Sequence, residues 1–267
     1  MLSWKHITFA GVLSAAAMLT TLPAHADSYT DIIASKKLRV ATDLAIPPSG
    51  MLDAQLKPIG SDVETAQLLA KDWGLELEFV PTTGATRIPN LQTNKADIII
   101  STLSVTPERA KVIDFSTAYA GLLSVIGAPA ASDIKDWDSL RGKTVTVTRG
   151  TTQDSELTKL AAEKGFSVVR YDDDATMVTA AVSGQAKIVA TSATLVKQIH
   201  EKNKDIAFEP KFTIRVFNLA IGVRKDEPEL LAKVNEWVAA NLKNGSLNTI
   251  YEKYHGTPLP PEIVNPK

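Results

Sequence analysis

The segment from Ala96 to Thr102 constrains this chain most: Ile98-Ile99-Ile100 stand in a row, and Thr106-Pro107 opens a helix a few residues on. A strand that is apolar on both faces must be covered on both, which calls for a parallel sheet flanked by helices. The rest of the chain agrees. Leu38 to Thr42 reads as a strand, and Ser61-Asp62-Val63-Glu64 as a capping box opening a helix. Val63, Ala66, Leu69, Ala70 and Trp73 share one face of that helix, Gly74 ends it, and Leu75 to Val80 is the next strand. A second series follows: strand Thr144 to Thr148, helix Thr152 to Lys164 stopped by Gly165, and strand Val168 to Tyr171. Helix Ala175 to Ser183 stopped by Gly184, strand Lys187 to Thr191 and helix Ala193 to Lys202 complete it. Strand Val216 to Val223, helices Pro228 to Lys243 and Leu247 to Tyr254, and a proline-rich tail close the chain. Strands alternating with amphipathic helices in two similar modules predict an α/β protein of two lobes.

Composition removes several kinds of chemistry. Lys plus Arg number 29 against 30 Asp plus Glu, and no basic cluster stands out, so a nucleic-acid partner is not expected. Cysteine is absent, which excludes disulfides, thiolate metal sites, cysteine nucleophiles and a lipidated cysteine. The start reads as a cleaved secretion signal, residues 1–26: Lys5 and His6, an apolar stretch from Ile7 to Leu19, and Ala24-His25-Ala26 as cleavage site. The expected mature protein begins at Asp27, free in a bacterial periplasm without a lipid anchor. Two histidines leave with the signal, and His200 and His255 read as surface residues without metal-ligand spacing. GxSxG, P-loop and GxGxxG signatures are missing, so neither a metal nor a cofactor is expected.

The informative chemistry lies at two strand-to-helix junctions. In the first, the strand runs into Ser101-Thr102-Leu103-Ser104 and then Thr106-Pro107-Glu108-Arg109, so hydroxyls and free N–H groups collect at a strand's carboxyl end, where open α/β sheets place ligands. Arg109 stands near the helix start, where a cation opposes the helix dipole, and this points to a compensating anion. Its competing partners are Asp114 and Glu108. The second junction is Thr148-Arg149-Gly150-Thr151-Thr152-Gln153, a glycine turn and threonine cap that also offers N–H groups to an anion. Two such ends on separate lobes suggest a carboxylate gripped between them.

These residues resemble the periplasmic solute-binding proteins of ABC transporters, in the branch that binds polar amino acids. The matching pieces are LRVATD (Leu38 to Asp43), the IPP of Ile46 to Pro48, and PIGSDVETAQLLAK (Pro58 to Lys71). IPNLQTNKADIIISTLSVTPERAKVIDFSTAY (Ile88 to Tyr119), LRGKTVTVTRGTTQ (Leu140 to Gln153) and IGVRKDEPELLAKVNEWV (Ile221 to Val238) complete them, and TPERAKVIDFS is the most specific. The resemblance implies a two-lobed Venus flytrap fold: residues 27–120 and 219–267 in one lobe, 121–218 in the other. Two crossing strands near Tyr119 to Leu122 and Phe217 to Leu219 join them. It also implies a monomer that closes on its ligand and delivers it to a membrane permease. Carried over by motif, Arg109 matches the arginine that pairs with an α-carboxylate, with Ser101, Thr102 and Ser104 beside it. Thr152 matches the second-lobe N–H donor, with Arg149 and Thr151 preceding it, and Asp43 a carboxylate at the cleft mouth.

Several positions depart from the family pattern. Ile46, Ser49, Ser61 and Gly84 stand where relatives often place aromatics, and Thr191 where they place the aspartate that pairs with the α-ammonium. Arg87 and Arg149 lie beside the expected cleft, with a solvated surface position as the competing reading of each. The ligand expected is a small polar amino acid or a related carboxylate, and Asp43 is the nearest partner for an ammonium. Two other function classes stand beside transport: a cyclohexadienyl-type dehydratase with its acid among Asp172, Asp173 and Asp174, where a loop and helix cap is the simpler reading, and a ligand-sensing partner of a membrane receptor.

Overall fold

The structure is a computed structural model and describes residues 28–264. The expected secretion signal lies outside the described residues.

The chain starts with α1 (Ser28–Ser35) and β1 (Lys37–Thr42), followed by a small antiparallel pair, β2 (Met51–Leu52) and β3 (Pro58–Ile59). Next come α2 (Ser61–Trp73), β4 (Glu76–Pro81), α3 (Arg87–Gln92), β5 (Ile98–Ile99) and α4 (Pro107–Ala110). β1 lies between β4 and β5, parallel to both, with Val40 opposite Phe79 on one side and Ile98 on the other. Ile98, Ile99 and Ile100 are fully buried, as the double-sided apolar run requires, although the ladder itself spans only Ile98–Ile99. The buried face of α2 is the expected one, Trp73 being partly covered, and Gly74 ends the helix in the left-handed conformation, φ 66°, donating its N–H back to the last turn.

The expected capping box at Ser61-Glu64 does not form. Gly60 holds the N-cap at φ 132°, and a Cβ there would come 2.3 Å from the Ser49 carbonyl oxygen, so the approach to α2 requires glycine. Ser61 Oγ turns instead to His255 Nε2 at 3.1 Å, and Glu64 accepts from Tyr254 O–H at 2.6 Å. Distant partners have taken over the side chains that local capping would have used.

The second module runs β7 (Thr144–Thr148), α5 (Thr152–Lys164), β8 (Ser167–Tyr171), α6 (Asp174–Val182), β9 (Val189–Ser192) and α7 (Ala193–Lys202). The limits of α5 are those read from the sequence, whereas β9 starts two residues later than expected. α8 (Pro228–Lys243), α9 (Ser246–His255) and a short α10 (Pro261–Val264), inside what read as a plain tail, end the described chain.

Two long antiparallel strands join the modules: β6 (Asp114–Pro129) and β10 (Phe208–Val223). Both are far longer than the crossing segments the sequence suggested. The strand order β4-β1-β5-β10-β6-β9-β7-β8 places them between the two parallel sets, and four register shifts along the pair bend it where it passes from one set to the other. Separate apolar cores form on the two sides. Leu38, Leu69, Ile98, Trp237 and Val238 belong to the first, and Val145, Val147, Leu157 and Ile188 to the second. α8 and α9 pack on the first core, so the chain's end returns to the lobe of its start. This is the two-lobed arrangement that the resemblance implied, with the carboxyl ends of both parallel sets facing the cleft.

Candidate ligand site

In the first lobe, Thr106 caps α4 by accepting the Arg109 N–H at 3.2 Å, and Pro107 occupies the first turn. This short helix turns the Arg109 side chain back over the junction. Its Nη1 donates to the Ser104 carbonyl at 2.9 Å and its Nη2 to the Gly150 carbonyl of the other lobe at 3.4 Å. The competing acids are engaged elsewhere: Asp114 with Lys225, and Glu108 with Lys159 of the second lobe at 3.6 Å. Among the described residues no carboxylate lies within 4.0 Å of Arg109. Burial, reinforced by the Arg87 charge, lowers its pKa to about 9.

Arg87 is not a solvated surface residue. It is 3% exposed, donates to the Ser101 carbonyl, and leaves its Nε buried without a hydrogen-bond partner. Ser101 organises the layer behind the cleft, since its Oγ also accepts the Asp43 N–H at 2.9 Å. Asp43 Oδ1 accepts the Ala45 N–H at 2.9 Å while Oδ2 is buried without a partner, and desolvation raises the carboxyl pKa. Thr102 adopts φ 42°, unusual for a β-branched residue, and its N–H donates to Asp62 Oδ2 at 2.7 Å. The Tyr119 hydroxyl donates to Asp62 Oδ1 at 2.7 Å, and desolvation lifts Asp62 to about 6.

In the second lobe, Thr151 caps α5 by accepting the Asp154 N–H at 3.2 Å. Gly150 has φ 75°, and a Cβ on it would come 2.7 Å from Ala85 Cα; one on Gly84 would come 2.8 Å from the Arg149 carbonyl oxygen. Gly84 and Gly150 are therefore the points at which the lobes touch backbone to backbone. The three successive aspartates separate completely. Asp172 pairs with Arg149 at 3.1 Å on the surface, Asp173 caps α6 by accepting the Thr176 N–H at 2.7 Å, and Asp174 is buried facing the cleft. The Thr148 hydroxyl donates to Asp174 Oδ1 at 2.6 Å, and desolvation raises the carboxyl to about 6.

A cleft of about 440 Å³, counting the part open to solvent, lies between the lobes. Of the residues that the sequence singled out, Ile46, Thr102, Ser104, Arg109, Thr151, Thr152 and Thr191 line it. Ser101 and Asp43 stand one layer behind, and Gly84 is a closure contact. The Arg149 side chain, 53% exposed, turns away to Asp172. The lining also includes Arg87, which the sequence left undecided, Thr148 and Gln153 of the second junction, Asp174 of the three consecutive aspartates, and Ser192, which the sequence did not single out. For Asp174 the one available signal was its place just after the helix cap, indistinguishable from that of its two neighbours. Ser49 and Ser61 face an adjoining chamber of about 540 Å³ together with Asp62 and His255. His255 is not a simple surface residue: it stacks on Tyr251 at 4.0 Å between ring centroids, and burial lowers its pKa to about 4. His200 likewise has Nδ1 buried. Among the described residues no group of three or more His, Asp or Glu is placed to hold a metal ion, and no helix is long and apolar enough to cross a membrane.

Residues 38–257 match the family described as bacterial extracellular solute-binding proteins, family 3, and the chain belongs to that family. It is similar to the L-cystine-binding protein TcyJ of Escherichia coli K12, 28% identical over 221 residues and 82% of each chain. Among solved structures it is similar to a mutant of ArgBP from T. maritima, with a TM-score of 0.79, 30% identity, and coverage of 86% of this chain and 100% of the other. An ancestral amino acid-binding protein described as a precursor of cyclohexadienyl dehydratase matches with a TM-score of 0.76 and 31% identity, over 85% of this chain and 99% of the other.

Proposed function

We propose that this protein is the periplasmic substrate-binding component of an ABC importer, secreted by cleavage of residues 1–26, and that it carries a small amino acid or related carboxylate to a membrane permease. The observation that carries this reading is Arg109, a cleft guanidinium with no carboxylate partner among the described residues, which reaches carbonyl groups of both lobes. A ligand carboxylate would replace those carbonyls by a bidentate charged pair and draw the N–H groups at the start of α5, beside Thr151 and Thr152, onto the same anion. In this reading Ser104 and Thr102 orient the carboxylate from the first lobe, and Ile46 and Thr191 shape the space for the rest of the ligand. Residues 27–120 with 219–267 and residues 121–218 act as the two closing bodies, hinged where β6 and β10 cross, and the protein works as a monomer. Ligand shifts the population towards the closed state because only that state offers both halves of the grip.

Relatives and neighbours named for cystine and arginine differ in side-chain charge, so the family alone does not choose the ligand. Native mass spectrometry of protein purified without refolding should reveal a retained small molecule, and titration calorimetry should show that Arg109→Ala abolishes its binding. Near-normal affinity in that variant would remove Arg109 from the site. A dehydratase is the second reading, favoured by one feature: among the described residues Asp174 is the only acid lining the cavity, and burial pushes its pKa up to about 6, the direction a general acid needs. Turnover of prephenate or arogenate would establish it, and inert substrates would dismiss it.

A further inference from the structure

Binding a zwitterion out of water requires a partner for each charge, and the positions at the end of β9, Thr191 and Ser192, are neutral. Three buried acids lie near the cleft, and the structure separates their roles. Asp62 has both oxygens engaged, one by the Tyr119 hydroxyl and one by the Thr102 N–H. Asp43 lies behind the lining, beneath the Ser101 and Ala45 contacts. Asp174 alone forms part of the cavity wall. Its observed partner is a neutral hydroxyl, that of Thr148, and no Lys or Arg nitrogen comes within 4.0 Å of it among the described residues.

The charges of the wall are also divided between the lobes. Arg87 and Arg109 come from the first and Asp174 from the second, so the cavity is positive on one side and negative on the other. Arg87 donates to the Ser101 carbonyl and acts on Asp174 only through space, without a direct pair. Asp174 is the first residue of α6, a nine-residue helix, and the positive end of its dipole favours the ionised carboxylate despite burial.

We infer that Asp174 is the specificity-determining residue for the ligand's cation, receiving the α-ammonium of an amino acid whose α-carboxylate is held by Arg109. This rests on the reading of the cleft as an amino-acid site. Asp174 thereby does from the start of α6 what the neutral end of β9 cannot, and a carboxylate without an ammonium leaves it buried and unpaired. Charge selection is coupled to closure, because the two ends of the zwitterion are gripped by different lobes.

The test uses the strongest responder among the twenty common L-amino acids in a thermal-shift screen and the same compound with hydrogen in place of its amino group. Calorimetry at pH 7.5 compares the pair on wild type, Asp174→Asn, Asp43→Asn and Arg109→Ala, each with wild-type circular dichroism. The expected result is a wild-type preference for the amino acid of about 100-fold or more, reduced to about 10-fold or less in Asp174→Asn and retained in Asp43→Asn. Asp174→Ser is read the same way should the amide variant fail to fold. An undiminished preference in the Asp174 variants, or its loss in Asp43→Asn instead, overturns this assignment and leaves the Arg109 site standing. Unchanged binding in Arg109→Ala, or no amino acid bound at all, overturns the amino-acid reading itself.

Discussion

The two lobes present the cleft with the same device, a strand ending in hydroxyl residues and a threonine-capped helix, yet they are built differently around it. The first-lobe junction is a polar layer two residues deep. Asp43, Ser101 and Asp62 stand behind the wall and hold Arg87 and Thr102 within it, and Arg109 is laid over them by Ser104. The second-lobe junction is backed by a single acid rather than a buried layer: Asp154 Oδ2 accepts the Gly150 N–H at 3.0 Å and its Oδ1 the Arg170 Nε–H at 2.7 Å. Thr151 caps α5, Thr148 holds Asp174, and Gly150 brings bare backbone against Ala85. A charge supported from behind is an anchor whose position hardly depends on closure; a wall of caps, one acid and a glycine does its work only when the lobes meet.

The largest effect expected from this contrast is at the anchor. Arg109→Ala should weaken ligand binding by about 2–5 kcal/mol, because the carboxylate is then desolvated without its partner, and calorimetry measures this directly. Next is the closure contact. Gly150→Ala sets a Cβ 2.7 Å from Ala85 Cα and strains a positive φ, so affinity should fall by about 1–3 kcal/mol. Small-angle scattering should then show less compaction at saturating ligand than in wild type. Compaction equal to wild type would mean that the lobes do not close through this contact.

A smaller effect concerns pH and the buried layer. Asp62 has a folded-state pKa of about 6 against 3.8 as its ordinary value, so between about pH 4 and 6 the folded chain keeps a proton that the unfolded chain has released. That contribution to stability grows as pH falls. Asp174 acts in the same sense, while His255, lowered to about 4 from 6.5, acts in the opposite one, since the unfolded chain binds its proton first. The isolated quantity is the difference in slope: from pH 7 to 5, urea unfolding should show wild type gaining about 1–1.5 kcal/mol relative to Asp62→Asn. Equal slopes would mean that Asp62 stays ionised down to pH 5 in the folded chain, so that its pKa is not raised. The smallest effect is expected at Arg149→Ala, which removes an exposed pair with Asp172 and should change affinity by less than about 0.5 kcal/mol. A loss as large as that of Arg109→Ala would return Arg149 to the ligand.

Whatever depends on neighbours a few positions away was legible in the order of residues alone. The apolar row Ile98-Ile99-Ile100, the Thr106-Pro107 start, the limits of α5 at Thr152 and Lys164, and the hydroxyls at two strand ends follow from periodicity and cap chemistry, which act within a turn or two of chain. The Ser61-Glu64 capping box failed by the same criterion, because His255 and Tyr254, nearly two hundred positions on, compete for its side chains and win by packing. Tertiary structure alone decided which arginine is buried and which of three consecutive aspartates faces the cleft. Arg87 and Arg149 are equivalent as letters, but one lies over the Ser101 carbonyl inside the cleft and the other reaches into solvent. Desolvation depends on the surroundings supplied by both lobes, and local sequence carries no measure of it.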